Sequence, residues 1–293
     1  MKLTHSSGMV VLAALAAGGC KKSDDGAAAQ AATRAAEQYV REGNDATRRL
    51  VEGLTGVITR AAPTVAPTLG DAARAREALR ALHDDRTPMG RDLALYPTSF
   101  VAAVNGDGTV VAADLREQGD ALSGKDVRTA FPCVARALSG TAATCSGALT
   151  LREGEPTRAY AVTAVPMESS GDGGASRGAL IGVMNLARMA QAVRQSLDLD
   201  HRRDRVQLSV AYWVNHRLVP LPDDPDVAVA WRVPQSLVAR LPANAGERVE
   251  SGGTATFHFT ENEGRMQWGA AAAPTPVLGQ GAGLVVYRGS LPL

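Results

Sequence analysis

The sequence predicts an α+β fold in which N-terminal helices precede two units, each an antiparallel sheet with a covering helix. Apolar side chains recur at helical spacing in residues 31–98, whereas short apolar runs alternate with turn signals from Ser99 onward. The order strand, strand, helix, strand, strand, strand fills residues 99–186, the first unit. The same order recurs without sequence identity in residues 206–293, the second unit. Residues 187–205 are predicted as a helical connector.

The first twenty residues have the layout of a secretory signal. Lys2 supplies a positive start, residues 9–16 are apolar, and small residues at 17–19 precede Cys20. This apolar run is far shorter than the ~20 residues that span a bilayer. We predict a signal peptide over 1–19 that is cut before Cys20; a secreted protein with a chance cysteine at this position is the alternative.

The segment Ala17-Gly18-Gly19-Cys20 resembles the lipobox of bacterial lipoproteins, although most lipoboxes have Leu where Ala17 stands. The resemblance implies a lipid on Cys20 and acylation of the new amino end, and several acyl chains would hold the protein firmly at a membrane. No later segment is predicted to cross a membrane, so we expect this lipid to be the anchor. Lys21, in place of the aspartate that marks inner-membrane retention, slightly favours the outer membrane.

The helical region follows from the spacing of its apolar residues. Residues 20–30, polar and then alanine-rich, are predicted as a tether. An apolar stripe predicts a helix from Ala31 to Ala62, which Gly43-Asn44-Asp45 would divide, with Asn44 or Asp45 capping the second part. Pro63 and Pro67 would end it. A second helix is predicted over 69–83 and a loop over 84–96.

The first unit opens with a strong hairpin signal. Two apolar runs, 100–104 and 109–113, flank Asn105-Gly106-Asp107-Gly108, whose glycines can adopt positive φ. The remaining predicted elements of this unit are a helix over 124–138, strands over 143–151, 158–167 and 179–186, and a glycine-rich loop over 169–178.

The second unit repeats this order with weaker signals. A turn at Asn215-His216-Arg217 separates the strand predicted over 206–214 from a short return. The other predicted elements are a helix over 234–241 and strands over 254–260, 265–273 and 283–287.

The order of elements and three motifs resemble the double Cache sensor domain, which is built from PAS-like units. Gly124-Lys125-Asp126 precedes the helix, the strand over 161–166 ends in a proline, and residues 178–184 form a buried glycine-bounded run. The resemblance extends from about Ala31 to Leu197 and is only topological from Val206 onward. It implies small-molecule sensing outside the cytoplasm. The aromatic and acidic pattern of amino-acid-binding Cache domains is not evident, so the resemblance does not identify a ligand.

The resemblance also suggests where a ligand would bind. In PAS-like units the pocket lies between the sheet and its helix, where apolar walls and a few polar groups converge. Core packing is the simpler role for every candidate residue. The candidates are Arg128, Phe131, Tyr160 and Thr163 in the first unit, and Tyr212, Trp231 and Trp268 in the second.

The cysteine count predicts a disulfide. The chain has three cysteines, and a lipid on Cys20 would leave Cys133 and Cys145 as a pair. An oxidising envelope favours a bridge between them, and Gly140 allows the intervening segment to turn back. Two unpaired buried thiols are the alternative.

Several classes of function lack support in the sequence. The formal net charge of +1 gives no case for nucleic acid binding. Residues 119–126 nearly match a phosphate-binding loop, but Asp126 stands where a hydroxyl would contact Mg²⁺. The histidines His83, His201, His216 and His258 do not have zinc-ligand spacing. We therefore predict no cofactor and no metal.

The preferred hypothesis is a lipid-anchored, non-enzymatic Cache-like protein of the periplasm that binds a small molecule, a partner sensor protein, or both. Because we expect the chain to end at Leu293 without an output domain, a sensor kinase or another envelope protein would carry the signal. A structural or assembly lipoprotein that uses the fold as a scaffold is the alternative. An envelope hydrolase is a weaker alternative, since the sequence has no G-x-S-x-G motif and no Cys-His arrangement.

Overall fold

The structure is a computed structural model, and the predicted signal peptide lies outside the residues it describes. The described residues are 20–114, 121–171, 174–201, 206–221, 223–242, 244–260 and 266–290.

A single helix of 46 residues, α1 (Cys20–Val65), forms the N-terminal region. Two expectations were wrong here, since residues 20–30 are helical and Gly43-Asn44-Asp45 does not divide the helix. The reason is tertiary contact. Asn44 does not cap a helix; its Nδ2 donates to the carbonyl of Pro274 at 3.1 Å, and its Oδ1 accepts from the Thr275 hydroxyl at 2.6 Å.

Two shorter helices complete the helical region. A 3₁₀ turn (Ala66–Thr68) leads to α2 (Ala72–Leu82). The loop predicted over 84–96 contains a third helix, α3 (Pro88–Ala94). Thr87 caps α3 by accepting from the Gly90 amide at 3.0 Å, and proline at the first helical position suits the helix start.

The first sheet has five antiparallel strands in the order β2-β1-β5-β4-β3. The covering helix is shorter than the predicted 124–138, and β4 and β5 extend into most of the predicted glycine-rich loop. The elements are β1 (Thr98–Asn105), β2 (Val110–Asp114), α4 (Cys133–Leu138), β3 (Ala143–Leu149), β4 (Arg158–Gly171) and β5 (Gly174–Asn185).

The second sheet has the same antiparallel order, β7-β6-β10-β9-β8, which confirms the predicted recurrence of one unit. Helix α5 (Leu186–Asp200) connects the units and begins at Asn185, whose side chain accepts from the Ala187 and Arg188 amides. The remaining elements are β6 (Gln207–Val214), β7 (Arg217–Val219), α6 (Gln235–Val238), α7 (Ala245–Glu250), β8 (Ala255–Thr260), β9 (Gln267–Pro274) and β10 (Gly283–Ser290).

Helix α1 packs on one face of both sheets, where α2 completes the cover of the first sheet and α5 that of the second. Alternate residues of β1 face opposite sides of the first sheet. Val101 and Ala103 pack in the core shared with α1, whereas Phe100 and Ala102 pack in a separate core. The second sheet is divided in the same way, with Val210 on the α1 side and Ala211 on the other. Each unit therefore has an interior of its own and shares a third core along α1.

The start of α1 and the end of β10 lie at the same end of the second sheet. The backbone of Ala32 passes over Gly269, which pairs with Arg288 near the end of β10. None of the helices in the described parts of the chain has the length and apolar character of a membrane span.

The close passage of α1 over Gly269 predicts a stability effect. A Cβ at this position would lie 2.3 Å from the carbonyl oxygen of Ala32, so backbone would have to move. We expect Gly269→Ala to lower the free energy of unfolding by about 1–3 kcal/mol in urea denaturation, as overpacked cores do. The matched control is Gly70→Ala, because a Cβ there meets nothing within 4 Å and should cost nothing. Equal effects of the two substitutions would contradict this packing.

Candidate functional site

Phe131 and Tyr160, two of the four predicted ligand-binding residues, come together inside the first unit. Their rings meet edge to face with centroids 6.3 Å apart, and Phe100 packs against Tyr160 at 5.8 Å. All three side chains are at most 1% exposed. Burial raises the pKa of Tyr160 to about 12, so its phenol is neutral at physiological pH. The space predicted as a pocket is filled at this point by aromatic side chains.

Thr163 and Arg128 do not join them. Thr163 is buried on the opposite face of the sheet, where its hydroxyl lies 2.7 Å from the hydroxyl of Thr55 on α1. Arg128 is exposed, and its Nη2 contacts Asp126 Oδ2 at 2.7 Å. Hydrogen bonding from Arg128 lowers the pKa of Asp126 to about 2. The four residues therefore do not form one site in this structure.

The candidates in the second unit are also dispersed. Tyr212 faces α1, with its hydroxyl 2.7 Å from that of Thr47, whereas Trp268 is buried in the core on the other side of the sheet. Trp231 is partly buried under the guanidinium of Arg194, which lies 4.1 Å from the ring centroid. Sequence reasoning missed Tyr287, which is fully buried and whose hydroxyl has no hydrogen-bond partner among the described residues.

Cys133 and Cys145 form the predicted disulfide, with an S–S distance of 2.10 Å and Cα atoms 5.5 Å apart. Both residues are at least nine-tenths buried. The bridge joins the first turn of α4 to β3, so the covering helix is covalently attached to the edge strand of its sheet. Across the unit boundary, Gly279 lies close to the backbone of Cys145.

A partly buried polar cluster joins the two units at another point. Asp226 of the second unit accepts from Arg158 Nε at 2.6 Å and from Asn185 Nδ2 at 2.9 Å. Arg158 also contacts Glu155 at 3.1 Å. Nearby, burial raises the pKa of Asp224. Sequence reasoning did not find this cluster, because its partners are separated by up to 68 residues and no local pattern links them.

A cleft between the two units is a candidate binding site. This inter-unit cleft has a volume of about 890 Å³, within the ~300–1,000 Å³ typical of ligand pockets. Thr55 of α1 lies in its lining, together with Arg136 and Thr144 of the first unit. The second unit contributes Glu250, Ser251 and Gln280. A smaller cavity of about 390 Å³ lies beside the Arg158 cluster.

Ionisable side chains of the described residues are possible metal ligands. Within the described ranges, no three His, Cys, Asp or Glu side chains are grouped to hold an ion. Three histidines each lie near a carboxylate: His83 is 3.4 Å from Asp114, His201 is 2.5 Å from Glu42, and His216 is 2.8 Å from Glu250.

Comparison with known proteins shows similarity at the level of structure. No family model and no curated protein matches the sequence. The extracellular domain of the histidine kinase mmHK1S-Z2 superposes with a TM-score of 0.51 at 10% identity, covering 87% of this chain and 96% of that one. Methyl-accepting chemotaxis protein X gives a TM-score of 0.50 at 12% identity, covering 92% and 99%.

The order of strands in both sheets agrees with this likeness. The chain has the double Cache fold. The predicted α+β class, with helices preceding two PAS-like units, is thereby confirmed. At these identities the double Cache likeness concerns the fold alone.

The disulfide predicts a response to reductant. The bridged residues are 12 positions apart, and closing a loop of about this size stabilises a protein by ~3 kcal/mol in the chain-entropy account. We expect dithiothreitol to lower the free energy of unfolding by about this amount in guanidinium titrations. The double variant Cys133→Ala/Cys145→Ala should unfold identically with and without reductant. An unchanged midpoint of the reduced wild-type protein would contradict the structural role.

Proposed function

We propose that this chain is an extracytoplasmic sensory protein that binds a small molecule and is anchored by lipid on Cys20. The observation that carries the proposal is the repeated five-stranded sheet on one long helix, an architecture shared with a chemotaxis protein and with the extracellular domain of a histidine kinase. The inter-unit cleft supports it, because its volume suits a small molecule.

Binding without catalysis is part of the proposal. Phe131 and Tyr160 pack as core residues, and a phenol whose pKa is about 12 is a poor proton donor or acceptor near neutral pH. Asp226, a carboxylate of the inter-unit boundary, is engaged in an ion pair with Arg158 and a hydrogen bond with Asn185. The polar groups of the inter-unit cleft are suited to binding a small molecule.

The proposed anchor has a definite geometric consequence. Cys20 is the first residue of α1, and Ala32 lies over Gly269 near the end of the second sheet. Twelve helical residues rise about 18 Å. A lipid on Cys20 would therefore place the second unit nearer the membrane than the first. We also propose that the chain contacts another envelope protein. Lys21 slightly favours the outer membrane as the membrane that holds the lipid anchor.

A scaffold without a ligand is the second candidate function. The filled interior of the first unit favours it, because the aromatic side chains of Phe100, Phe131 and Tyr160 occupy the space where a PAS-like unit would hold a ligand. In a scaffold, no ligand would bind in the inter-unit cleft.

Thermal unfolding separates the two candidates. The lipidated protein, extracted in detergent, is heated with each member of a panel of small metabolites. A ligand at 100 times its Kd should raise the free energy of unfolding by about 2.7 kcal/mol. Lysozyme heated with the same compounds controls for non-specific effects. A panel in which no compound stabilises the protein would favour the scaffold.

Metabolic labelling with a tagged palmitate tests the anchor. Cys20→Ser should abolish the label, because the thioether and the cleavage that depends on it both need the cysteine thiol. Cys133→Ser is the matched control and should keep the label, since this residue belongs to the disulfide. Label that persists on Cys20→Ser would contradict lipidation at this site.

A further inference from the structure

The walls of the inter-unit cleft carry opposite charges. Arg136, at the end of α4, lines the side formed by the first unit, and Glu250, at the end of α7, lines the side formed by the second. Arg136 is exposed and has no ion-pair partner among the described residues. Each unit thus contributes one charged group.

Glu250 is held in place on one side only. Its Oε1 accepts from the Trp213 indole at 2.8 Å and lies 2.8 Å from His216 Nδ1. Its Oε2 has no hydrogen-bond partner in the part of the chain that the structure describes. The side chain is one-quarter exposed and belongs to the cleft lining, so Trp213 orients a carboxylate whose second oxygen can still accept a hydrogen bond.

The rest of the lining is small and polar. Glycine, alanine and proline residues leave the backbone accessible, and Thr144, Ser251 and Gln280 add hydroxyl and amide groups. Among the described residues, no aromatic side chain belongs to this lining. A cleft with these walls offers little stacking surface and favours a ligand bound through charge and hydrogen bonds.

We propose that the inter-unit cleft binds a small zwitterion, with its anionic group on Arg136 and its cationic group on Glu250. An arginine can hold a carboxylate through two parallel hydrogen bonds, and an ammonium can donate to the available Oε2. The zwitterion would bridge the two units. The proposal rests on the proposed sensory function and deepens it by naming the site and the class of ligand.

Calorimetry with ω-amino acids tests the proposal. The full lipidated protein is titrated with the series from glycine to 6-aminohexanoate, in which only the separation of the two charges changes. Affinity should be greatest at one chain length, the length that spans Arg136 and Glu250. Pentanoate and pentylamine, each lacking one charge, should bind at least about tenfold more weakly than 5-aminopentanoate if that length is the optimum.

Variants assign the binding to the cleft. Arg136→Gln and Glu250→Gln should each weaken binding of the best ω-amino acid about tenfold, because each removes a charge-assisted hydrogen bond. Glu250→Gln keeps an acceptor for the Trp213 indole, so the fold of α7 should be retained. Arg128→Gln is the control, since Arg128 is an exposed arginine of the same unit that pairs with Asp126 outside the cleft. The exchange Arg136→Glu/Glu250→Arg should recover part of the affinity, because a zwitterion can bind in reverse.

The outcomes separate this proposal from the function on which it rests. If no ω-amino acid binds, or if binding is indifferent to both cleft variants, the zwitterion site is wrong. In that case a metabolite that stabilises the protein in the thermal panel would leave the sensory function standing. If neither experiment finds a ligand, both proposals fail.

Discussion

The packing of α1 against both sheets is the constraint on which the rest of the structure depends. A sheet with two apolar faces must have both covered, and here one 46-residue helix packs on a face of each sheet, with α2 and α5 completing the cover. Two threonines of α1 add hydrogen bonds, one to each sheet. Thr47 and Thr55 each donate to the carbonyl four residues earlier, and a hydroxyl has one hydrogen. Tyr212 and Thr163 must therefore donate to them, so each sheet is fixed to α1 by a directed hydrogen bond.

The recurrence of one unit could be predicted because it depends on local signals. Turn residues such as Asn105-Gly106-Asp107-Gly108, and alternating apolar runs, indicate strands wherever they occur. Helix boundaries were predicted less well. Gly43-Asn44-Asp45 has the composition of a break, yet packing on the second sheet keeps these residues helical, and the Asn44 amide is bonded to Pro274 and Thr275. Tertiary contacts overrode local propensity at this point.

The candidate site could be predicted only in part. Phe131 and Tyr160 lie together because both face the interior of the first unit, and their contact with a ligand stays a prediction. Thr163 was misplaced although strand alternation contained the answer, since residues three apart in a strand point to opposite faces. The inter-unit cleft and the pairing of Arg158 with Asp226 had no such signal. They arise from how two separately folded units meet, which no local pattern encodes.

A ligand bound between the units responds to a different movement of the protein from a ligand bound within one unit. A ligand shifts a conformational equilibrium only as far as it binds the two states with different affinity. A ligand enclosed by one unit is insensitive to the separation of the units, whereas an occupant of the cleft contacts both and is sensitive to it. Thr55 lies in the cleft lining and is bonded to Thr163 of β4. Movement of the cleft walls would therefore also be movement relative to α1, the helix that begins at Cys20.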